Sequence, residues 1–292
     1  MKPITIGKET FDWGSRTYVM GILNITPDSF SGDGILARGG SVQTVLERAG
    51  EFLSAGSDIL DVGGESTRPG SMPLGPAEEM ERVIPVIEAL SREFPGTPLS
   101  IDTYKAEVAE EAFRAGAQIL NDVWGLRADP ELGGVASRHE AVIVLMHNRS
   151  DPNSVQVREQ LGGAYLGAKY QDLIEDVKRE LMESVEIACK AGIKEERIIL
   201  DPGVGFGKTR EQNLELINRL DEIRALGYPV LLGPSRKSFI GYTLNLPPDQ
   251  RVEGTAAAVA VGIVRGADIV RVHDVREMCR LAKMTDALVR AG

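Results

Sequence analysis

The sequence has little cysteine, no long hydrophobic run and fewer basic than acidic residues, and each shortage excludes a class of protein. Its two cysteines, Cys189 and Cys279, lie in stretches of helical periodicity, so neither a disulfide framework nor a cysteine metal site is expected. No stretch approaches the ~18 consecutive apolar residues of a membrane span. Met1-Lys2-Pro3 is not followed by the apolar core of a signal peptide. A reduced, cytoplasmic protein without a membrane partner is therefore predicted.

The charge balance excludes another class of partner. With 33 Lys and Arg against 43 Asp and Glu, the formal net charge is -10. Nucleic-acid surfaces neutralise phosphates with clustered Lys and Arg, so no nucleic-acid partner is expected. A local basic pocket for a small anion is compatible with this charge.

What the chain does have is a repeated pattern of short apolar runs that end in polar residues. Continuous Val, Ile and Leu runs are typical of parallel strands that are buried on both faces. Helical stretches separate the runs, which predicts an α/β fold, a (β/α)₈ TIM barrel. The eight runs are Tyr18–Asn24, Ile59–Asp61, Leu99–Asp102, Ile119–Asp122, Val142–His147, Ile198–Asp201, Val230–Ser235 and Ile269–His273.

The chain divides into a short amino-terminal segment and one barrel domain. Residues 1–16 are predicted to form a hairpin that closes the bottom of the barrel, and residues 17–292 to form a single catalytic domain. Glycine- and proline-rich segments follow three strands, at 27–34, 63–75 and 148–169, and are interpreted as mobile loops at the catalytic mouth. Helices are predicted at 41–53, 76–87, 104–116, 129–138, 169–192, 210–226, 250–266 and 275–290.

Carboxylates and amides end several of the runs. Barrel enzymes keep their chemistry at the carboxyl ends of the strands, so these side chains are candidate active-site groups. For any single aspartate the alternative is a helix cap that accepts backbone N–H groups. Together they suit a flat, nitrogen-rich heterocycle, because carboxylates accept from ring N–H groups and asparagine both donates and accepts. The set comprises Asp61, Asp102, Asp122 and Asp201 with Asn24 and Asn121.

Basic residues gather after the last two runs, where (β/α)₈ barrels commonly bind phosphate. Arg271 lies inside an apolar stretch, where an unpaired charge would be expensive, and His273 follows on the same side of the strand. The pair suits a phosphate or diphosphate. Ser235–Ser238 supplies a further lysine, whereas His147 is weaker evidence and His139 is interpreted as structural.

The segment 201–209 imitates a nucleotide loop without being one. Pro202 stands where a Walker A motif needs glycine, and the glycine spacing does not match the dinucleotide motif. We therefore expect these glycines to let the backbone approach a flat ligand, with Phe206 as an apolar wall.

These motifs, taken in order, resemble the dihydropteroate synthase family, the sulfonamide target of folate biosynthesis. They span residues 20–274, nearly the whole chain, and the first, second and sixth are specific by their length. The matching stretches are Met20–Phe30, Asp61–Gly70, Ser100–Thr103, Asn121–Val123, Met146–His147, Asp201–Thr209, Ser235–Lys237 and Arg271–Asp274.

The resemblance implies a transferase that joins (7,8-dihydropterin-6-yl)methyl diphosphate to 4-aminobenzoate, with Mg²⁺ as cofactor, through a dissociative pterin cation. Catalysis would fall to Asp102, Asp201, Lys237 and Arg271. By the same resemblance the pterin would be held by Asp102, Asn121, Asp201 and Lys237, the diphosphate by Asn24, Arg271 and His273, Mg²⁺ by Asn24, and 4-aminobenzoate by Phe30, Thr67, Arg68, Pro69, Phe206 and Ser238.

Two segments depart from the family pattern. The first loop reads Ser31-Gly-Asp-Gly34 where the family usually has Ser-Asp-Gly-Gly, so its carboxylate moves by one place to Asp33. Residues 148–154 lack the family's basic, threonine-containing pattern, and no role is transferred to them. The family also implies a homodimer through the last helices, where Val259–Val264 is apolar, although packing against the barrel explains that stretch equally well.

Two alternatives to the synthase remain at this stage. A methyltetrahydrofolate:corrinoid methyltransferase would share the strand-end Asp and Asn residues but would not need the diphosphate-binding residues. A non-catalytic pterin-binding protein is the other, and the altered first loop favours it.

Overall fold

The computed structural model describes residues 1–26, 41–66, 73–151, 154–158 and 161–290. Twelve strands lie in this part of the chain. They are β1 (Ile4–Ile6), β2 (Glu9–Phe11), β3 (Tyr18–Asn24), β4 (Ile59–Gly63), β5 (Leu99–Asp102), β6 (Ile119–Asp122), β7 (Val142–Met146), β8 (Val155–Arg158), β9 (Gly162–Tyr165), β10 (Ile198–Asp201), β11 (Leu231–Leu232) and β12 (Ile269–Val272).

Ten α-helices of the described residues follow the strands. They are α1 (Val42–Ala55), α2 (Pro76–Glu93), α3 (Ala106–Ala115), α4 (Leu132–Arg138), α5 (Leu173–Lys190), α6 (Arg210–Asn218), α7 (Leu220–Arg224), α8 (Ser238–Leu244), α9 (Val252–Val264) and α10 (Val275–Val289). No helix in these residues is both long and apolar enough to cross a bilayer.

Eight parallel strands form the barrel, as predicted. Their order is β10, β7, β6, β5, β4, β3, β12 and β11, and every neighbouring pair with a recorded register is parallel. A single parallel bridge between Leu200 and Val230 joins β10 to β11 and closes the ring. Because all the strands run the same way, their carboxyl ends lie at one end of the barrel.

The amino-terminal hairpin covers the other end, which confirms that part of the prediction. β1 and β2 pair antiparallel, with Ile4 opposite Phe11. Phe11 is fully buried and its ring packs against that of Tyr18 at a tilt of 46°, with 4.6 Å between the ring centroids. The hairpin packs with the inward residues at the strand starts, which are Tyr18, Met20, Ile59, Ile119, Val142, Val144, Ile199, Leu231 and Ile269.

Successive side chains of each strand point to opposite faces, so one set packs inside the barrel and the other packs against the helices. Leu120 and Leu200 face outward and pack with the helices in the larger apolar cluster. Ile119 and Ile199 face inward and fill the lower half of the barrel. Two residues further along β6 and β10, the inward positions are Asn121 and Asp201. Apolar side chains therefore fill the bottom, and polar ones fill the mouth.

The structure differs from the sequence prediction in four connections. The helix predicted at 210–226 breaks at Arg219 into α6 and α7, and that predicted at 250–266 begins as a 3₁₀ turn at Pro248–Gln250. The short helix α8 was not predicted. The segment 148–169, interpreted as an irregular loop, contains the antiparallel pair β8 and β9. Most of the other two loops lies outside the described residues.

Candidate active site

Five polar side chains enter the barrel from the carboxyl ends of five strands. Asp102 and Asn121 are register partners on β5 and β6, so their side chains share the inner face. Asp61 on β4 is wholly buried, and its Oδ2 accepts a hydrogen bond of 3.3 Å from Nδ2 of Asn121. Asp201 from β10 and Arg271 from β12 complete the ring. The strand-end carboxylates and amide therefore meet at one mouth.

Asp122 is the exception among the strand-end aspartates. It directly follows the inward Asn121, so it points outward, where it accepts hydrogen bonds from the backbone N–H of Trp124 at 2.8 Å and of Leu126 at 2.6 Å. Asp122 thus accepts backbone N–H groups, as the helix-cap alternative expected, although the residues that follow it form a turn. Burial raises the pKa of its carboxyl to about 6, and the two N–H donors oppose that shift.

Arg271 lies between two carboxylates. Its Nε donates to Asp61 Oδ2 and its Nη2 to Asp102 Oδ2, both at 2.6 Å. These bonds explain why a guanidinium is tolerated inside an apolar strand, since a buried cation must be paired. The pKa of Arg271 is raised, because the two carboxylates outweigh the effect of its burial.

The Asp102 carboxyl titrates near neutrality. Burial raises its pKa to about 7, Arg271 opposes the shift, and the neighbouring Asp61 adds to it. Burial likewise raises the pKa of Asp201, against the effect of Lys237. The site thus holds two carboxyl groups that are poorly solvated and that can accept hydrogen bonds from a ligand.

Lys237 and Phe206 form the second side of the mouth. The Lys237 ammonium donates to the carbonyl of Val204 and lies 4.6 Å from the centroid of the Phe206 ring. Burial lowers its pKa to about 8, and Asp201 opposes that shift. Gly205 has a φ of 85°, which favours glycine, and a Cβ there would lie 2.7 Å from Lys237 Cδ. This contact fits the expectation of close backbone approach in the 201–209 segment.

His273, Ser235 and Asn24 meet beside Arg271. Ser235 Oγ accepts from the His273 backbone N–H at 3.1 Å and lies 3.0 Å from Nδ1 of its ring. Asn24 Nδ2 lies 3.5 Å from His273 Nε2. The residues that the resemblance implies for the diphosphate are therefore neighbours in space.

The Mg²⁺ implied at Asn24 has suitable surroundings. A Cβ built at Gly63 would lie 3.9 Å from Asn24 Oδ1 and 3.8 Å from Asp102 Oδ2, so both oxygen atoms lie beside this glycine. Mg²⁺ prefers oxygen ligands and is usually held by one or two protein groups together with water and phosphate. In the described ranges no group of three or more His, Cys, Asp and Glu side chains could hold a metal. The residues present fit an ion that binds together with a phosphate compound.

The predicted aminobenzoate residues divide into two groups. Phe206 lies against Lys237, and Ser238 is the first residue of α8, directly after Lys237. Four others lie outside the described residues, namely Phe30, Thr67, Arg68 and Pro69. Asp33 of the altered first loop lies outside them too.

Two residues were passed over when roles were assigned from the sequence. Asp61 was recognised as a strand-end carboxylate, yet its pairing with Arg271 joins residues 210 positions apart and leaves no local signal. Lys208 was considered only as part of a failed nucleotide motif, but it is 2% exposed and lies beneath the mouth.

The comparisons with known proteins agree with this geometry. The family model of the pterin binding enzyme matches residues 20–273. The dihydropteroate synthase of Bacillus subtilis is 51% identical over 277 residues, which cover 95% of this chain and 90% of the relative. The dihydropteroate synthase of Clostridium beijerinckii is 49% identical over 286 residues, which cover 98% of this chain and 99% of the relative.

Solved structures give the same result. A dihydropteroate synthase from Clostridium difficile, crystallised in the presence of pteroic acid, has a TM-score of 0.85 at 48% identity and covers 96% of this chain and 99% of its own. The Yersinia pestis dihydropteroate synthase in complex with a sulfonamide drug has a TM-score of 0.89 at 38% identity and covers 100% of both chains. These matches remove both the methyltransferase and the non-catalytic alternative, and the chain belongs to the dihydropteroate synthase family, the transferases of folate biosynthesis.

Proposed function

We propose that this chain condenses (7,8-dihydropterin-6-yl)methyl diphosphate with 4-aminobenzoate and gives 7,8-dihydropteroate and pyrophosphate. The observation that carries the proposal is the meeting of two buried carboxyl groups, Asp102 and Asp201, with the cations of Arg271 and Lys237 at one barrel mouth. The two carboxyl groups and Lys237 suit a pterin, and Arg271 suits a departing diphosphate.

The pterin is held by the inward residues of three strands and by Lys237. Asp102 and Asp201 accept from its ring N–H and amino groups, while Asn121 and Lys237 donate to its acceptors. These groups are buried, so they form few hydrogen bonds with water in the free site. The pterin supplies the hydrogen-bond partners that they lack. Asp61 positions Arg271 through the 2.6 Å bond to its Nε.

The reaction breaks the carbon–oxygen bond to the diphosphate before the carbon–nitrogen bond forms. The electron pair leaves with the diphosphate, which Arg271, His273 and Asn24 bind; when bound there, Mg²⁺ supplies charge neutralisation. The electron-rich pterin, beside Asp102 and Asp201, accommodates the positive charge left behind. The aniline nitrogen of 4-aminobenzoate then attacks this carbon and loses one proton.

The 4-aminobenzoate pocket is proposed between Phe206, Lys237 and Ser238, with Phe30, Thr67, Arg68 and Pro69 completing it. The Phe206 ring provides an apolar wall for the benzene ring, and the Ser238 hydroxyl is a partner for the carboxylate.

A pyrophosphate-release assay with both substrates tests the function. Pyrophosphate is expected to appear only when 4-aminobenzoate and the pterin diphosphate are both present, in an equimolar amount with dihydropteroate. Omission of Mg²⁺ should reduce the rate. Absence of the product in the complete mixture would contradict the proposal.

We also propose that the enzyme is a cytoplasmic homodimer. Cys189 and Cys279 are both free thiols, which suits a reducing compartment. Helices α9 and α10 pack on each other and present apolar side chains to solvent, at exposed fractions between 42% and 71%. Exposed apolar side chains on two packed helices favour a second copy of the chain as their partner. The residues are Val261, Val264, Met284, Leu288 and Val289.

A further inference from the structure

Lys208 is a buried lysine that the proposed chemistry does not use. It follows the segment 201–207, called here the glycine turn, in which Gly203, Gly205 and Gly207 have φ values of 71°, 85° and 63°. The side chain is 2% exposed, so its ammonium has lost almost all contact with water. Burial of a cation is expensive unless every N–H group finds an acceptor.

The Lys208 ammonium has three acceptors. Its Nζ lies 2.9 Å from the carbonyl oxygen of Gly203, 3.1 Å from that of Phe206 and 3.0 Å from Nδ1 of His147. Burial lowers the pKa of Lys208 to about 7, and Asp201 opposes that shift. In its ammonium form Lys208 has three N–H groups and no lone pair, so His147 Nδ1 then accepts and the ring proton lies on Nε2. That nitrogen lies 3.2 Å from Glu180 Oε2. Burial lowers the pKa of His147 to about 3, which keeps the ring neutral.

The glycine turn is therefore held from two sides. Lys208 binds the carbonyls of Gly203 and Phe206 from below, while Lys237 binds the intervening carbonyl of Val204 from the mouth. Asp201 Oδ1 accepts the Gly203 N–H at 2.7 Å and joins the turn to the pterin side of the site. The orientation of the Phe206 ring depends on where its own carbonyl is fixed.

We propose that Lys208 is a positioning residue for the 4-aminobenzoate pocket: its ammonium fixes the glycine turn so that Phe206 and Val204 meet Lys237. This inference rests on the proposed function for its kinetic consequence. The fixing of the turn itself does not depend on which reaction occurs above it.

Two substitutions of Lys208 test the proposal by steady-state kinetics. Lys208→Met keeps most of the length of the side chain without its donors and is expected to raise KM for 4-aminobenzoate by about tenfold or more, with a smaller change in kcat. Lys208→Gln retains two N–H groups that can reach the carbonyls, so it should recover part of the affinity. If Lys208→Met does not fold, the test compares KM for 4-aminobenzoate in Lys208→Gln with the wild-type value.

Arg224→Met is the matched control. Arg224 pairs with the buried Asp268 at 2.8 Å ahead of β12, at the far end of the barrel, so its loss destabilises the fold without touching the turn. At an equal loss in Tm, Arg224→Met should leave KM unchanged. An equal rise in KM for the two variants would overturn the proposal.

A double-mutant cycle separates positioning from general loosening. In a Phe206→Ala background, Lys208→Met should raise KM by less than about twofold, because the ring that it positions is gone. A full tenfold rise in that background would show that Lys208 does not act through Phe206.

Hydrogen exchange provides a readout that is independent of activity. Backbone amides of residues 203–207 should exchange faster in Lys208→Met than in the wild type, with little change in β1 and β2. If the wild-type protein releases no pyrophosphate, the proposed function is refuted, but hydrogen exchange still tests the role of Lys208. Unchanged exchange in the turn would refute the role of Lys208 even in an active enzyme.

Discussion

At the scale of single residues, the site depends on how buried charges compensate one another. Arg271 is tolerated because Asp61 and Asp102 accept its N–H groups, and those two carboxylates are tolerated because Arg271 lies between them. Removal of Arg271 leaves both buried carboxylates without their cation, and removal of either carboxylate leaves Arg271 with one partner, so substitutions here affect both stability and catalysis.

Arg271→Met is expected to lower turnover by at least about tenfold while the barrel remains folded, because one fixed cation no longer stabilises the departing diphosphate. Steady-state rates with saturating substrates, together with circular dichroism of the variant, measure the two effects separately. Arg224→Met, which removes a cation at the far end, should turn over at the wild-type rate. Wild-type turnover in folded Arg271→Met would contradict the assignment.

The raised pKa of Asp102 predicts a dependence of stability on pH. The pKa of this carboxyl rises from its ordinary value of 3.8 to about 7 in the folded protein. Between these values the folded state binds the extra proton, so this group's contribution to stability is complete below about pH 4 and is lost as the pH rises through about 7. Asp102→Asn should therefore show a smaller fall in Tm across this range than the wild type. Parallel Tm curves for the two proteins would contradict the shift.

At the scale of strands and turns, the sequence was informative wherever apolar runs ended abruptly. All eight barrel strands followed from such runs. The patterns could not tell Asn121 from Asp122, because a shift of one residue reverses the face and only the register fixes it. Helix α8 has seven residues and too few turns to show a period. Strands β8 and β9 have no buried alternation, since most of their side chains are partly or fully exposed.

The glycine turn gives a prediction at this scale. A Cβ at Gly203 would lie 1.8 Å from the carbonyl oxygen of His147, and φ is 71° there. Gly203→Ala should therefore lower the free energy of unfolding by more than the ~1–2 kcal/mol that left-handed backbone strain alone would cost. Gly227→Ala is the matched control, with φ at 91° and no described atom within 4 Å of the added Cβ. Urea unfolding of both variants measures the difference, and equal losses would contradict the contact.

At the scale of the whole molecule, the barrel separates stability from chemistry. The hairpin and the lower apolar layer close one end, and the polar layer of strand ends occupies the other. Val264 of α9 and Leu288 of α10 are exposed on the outside of the barrel. Association of two copies through those helices would therefore involve none of the described site residues.

This separation gives the last prediction. The double substitution of Val264→Glu and Leu288→Glu places charges on the most exposed apolar positions of α9 and α10, at 59% and 71% exposure. It should convert the proposed dimer to a monomer of 31.6 kDa with nearly unchanged kcat, because no site residue is altered. Light scattering after gel filtration measures the mass. Leu214→Glu, a 44% exposed leucine on α6, is the control that should remain dimeric. A dimeric double variant would place the interface on another face, and a monomeric wild type would refute the dimer itself.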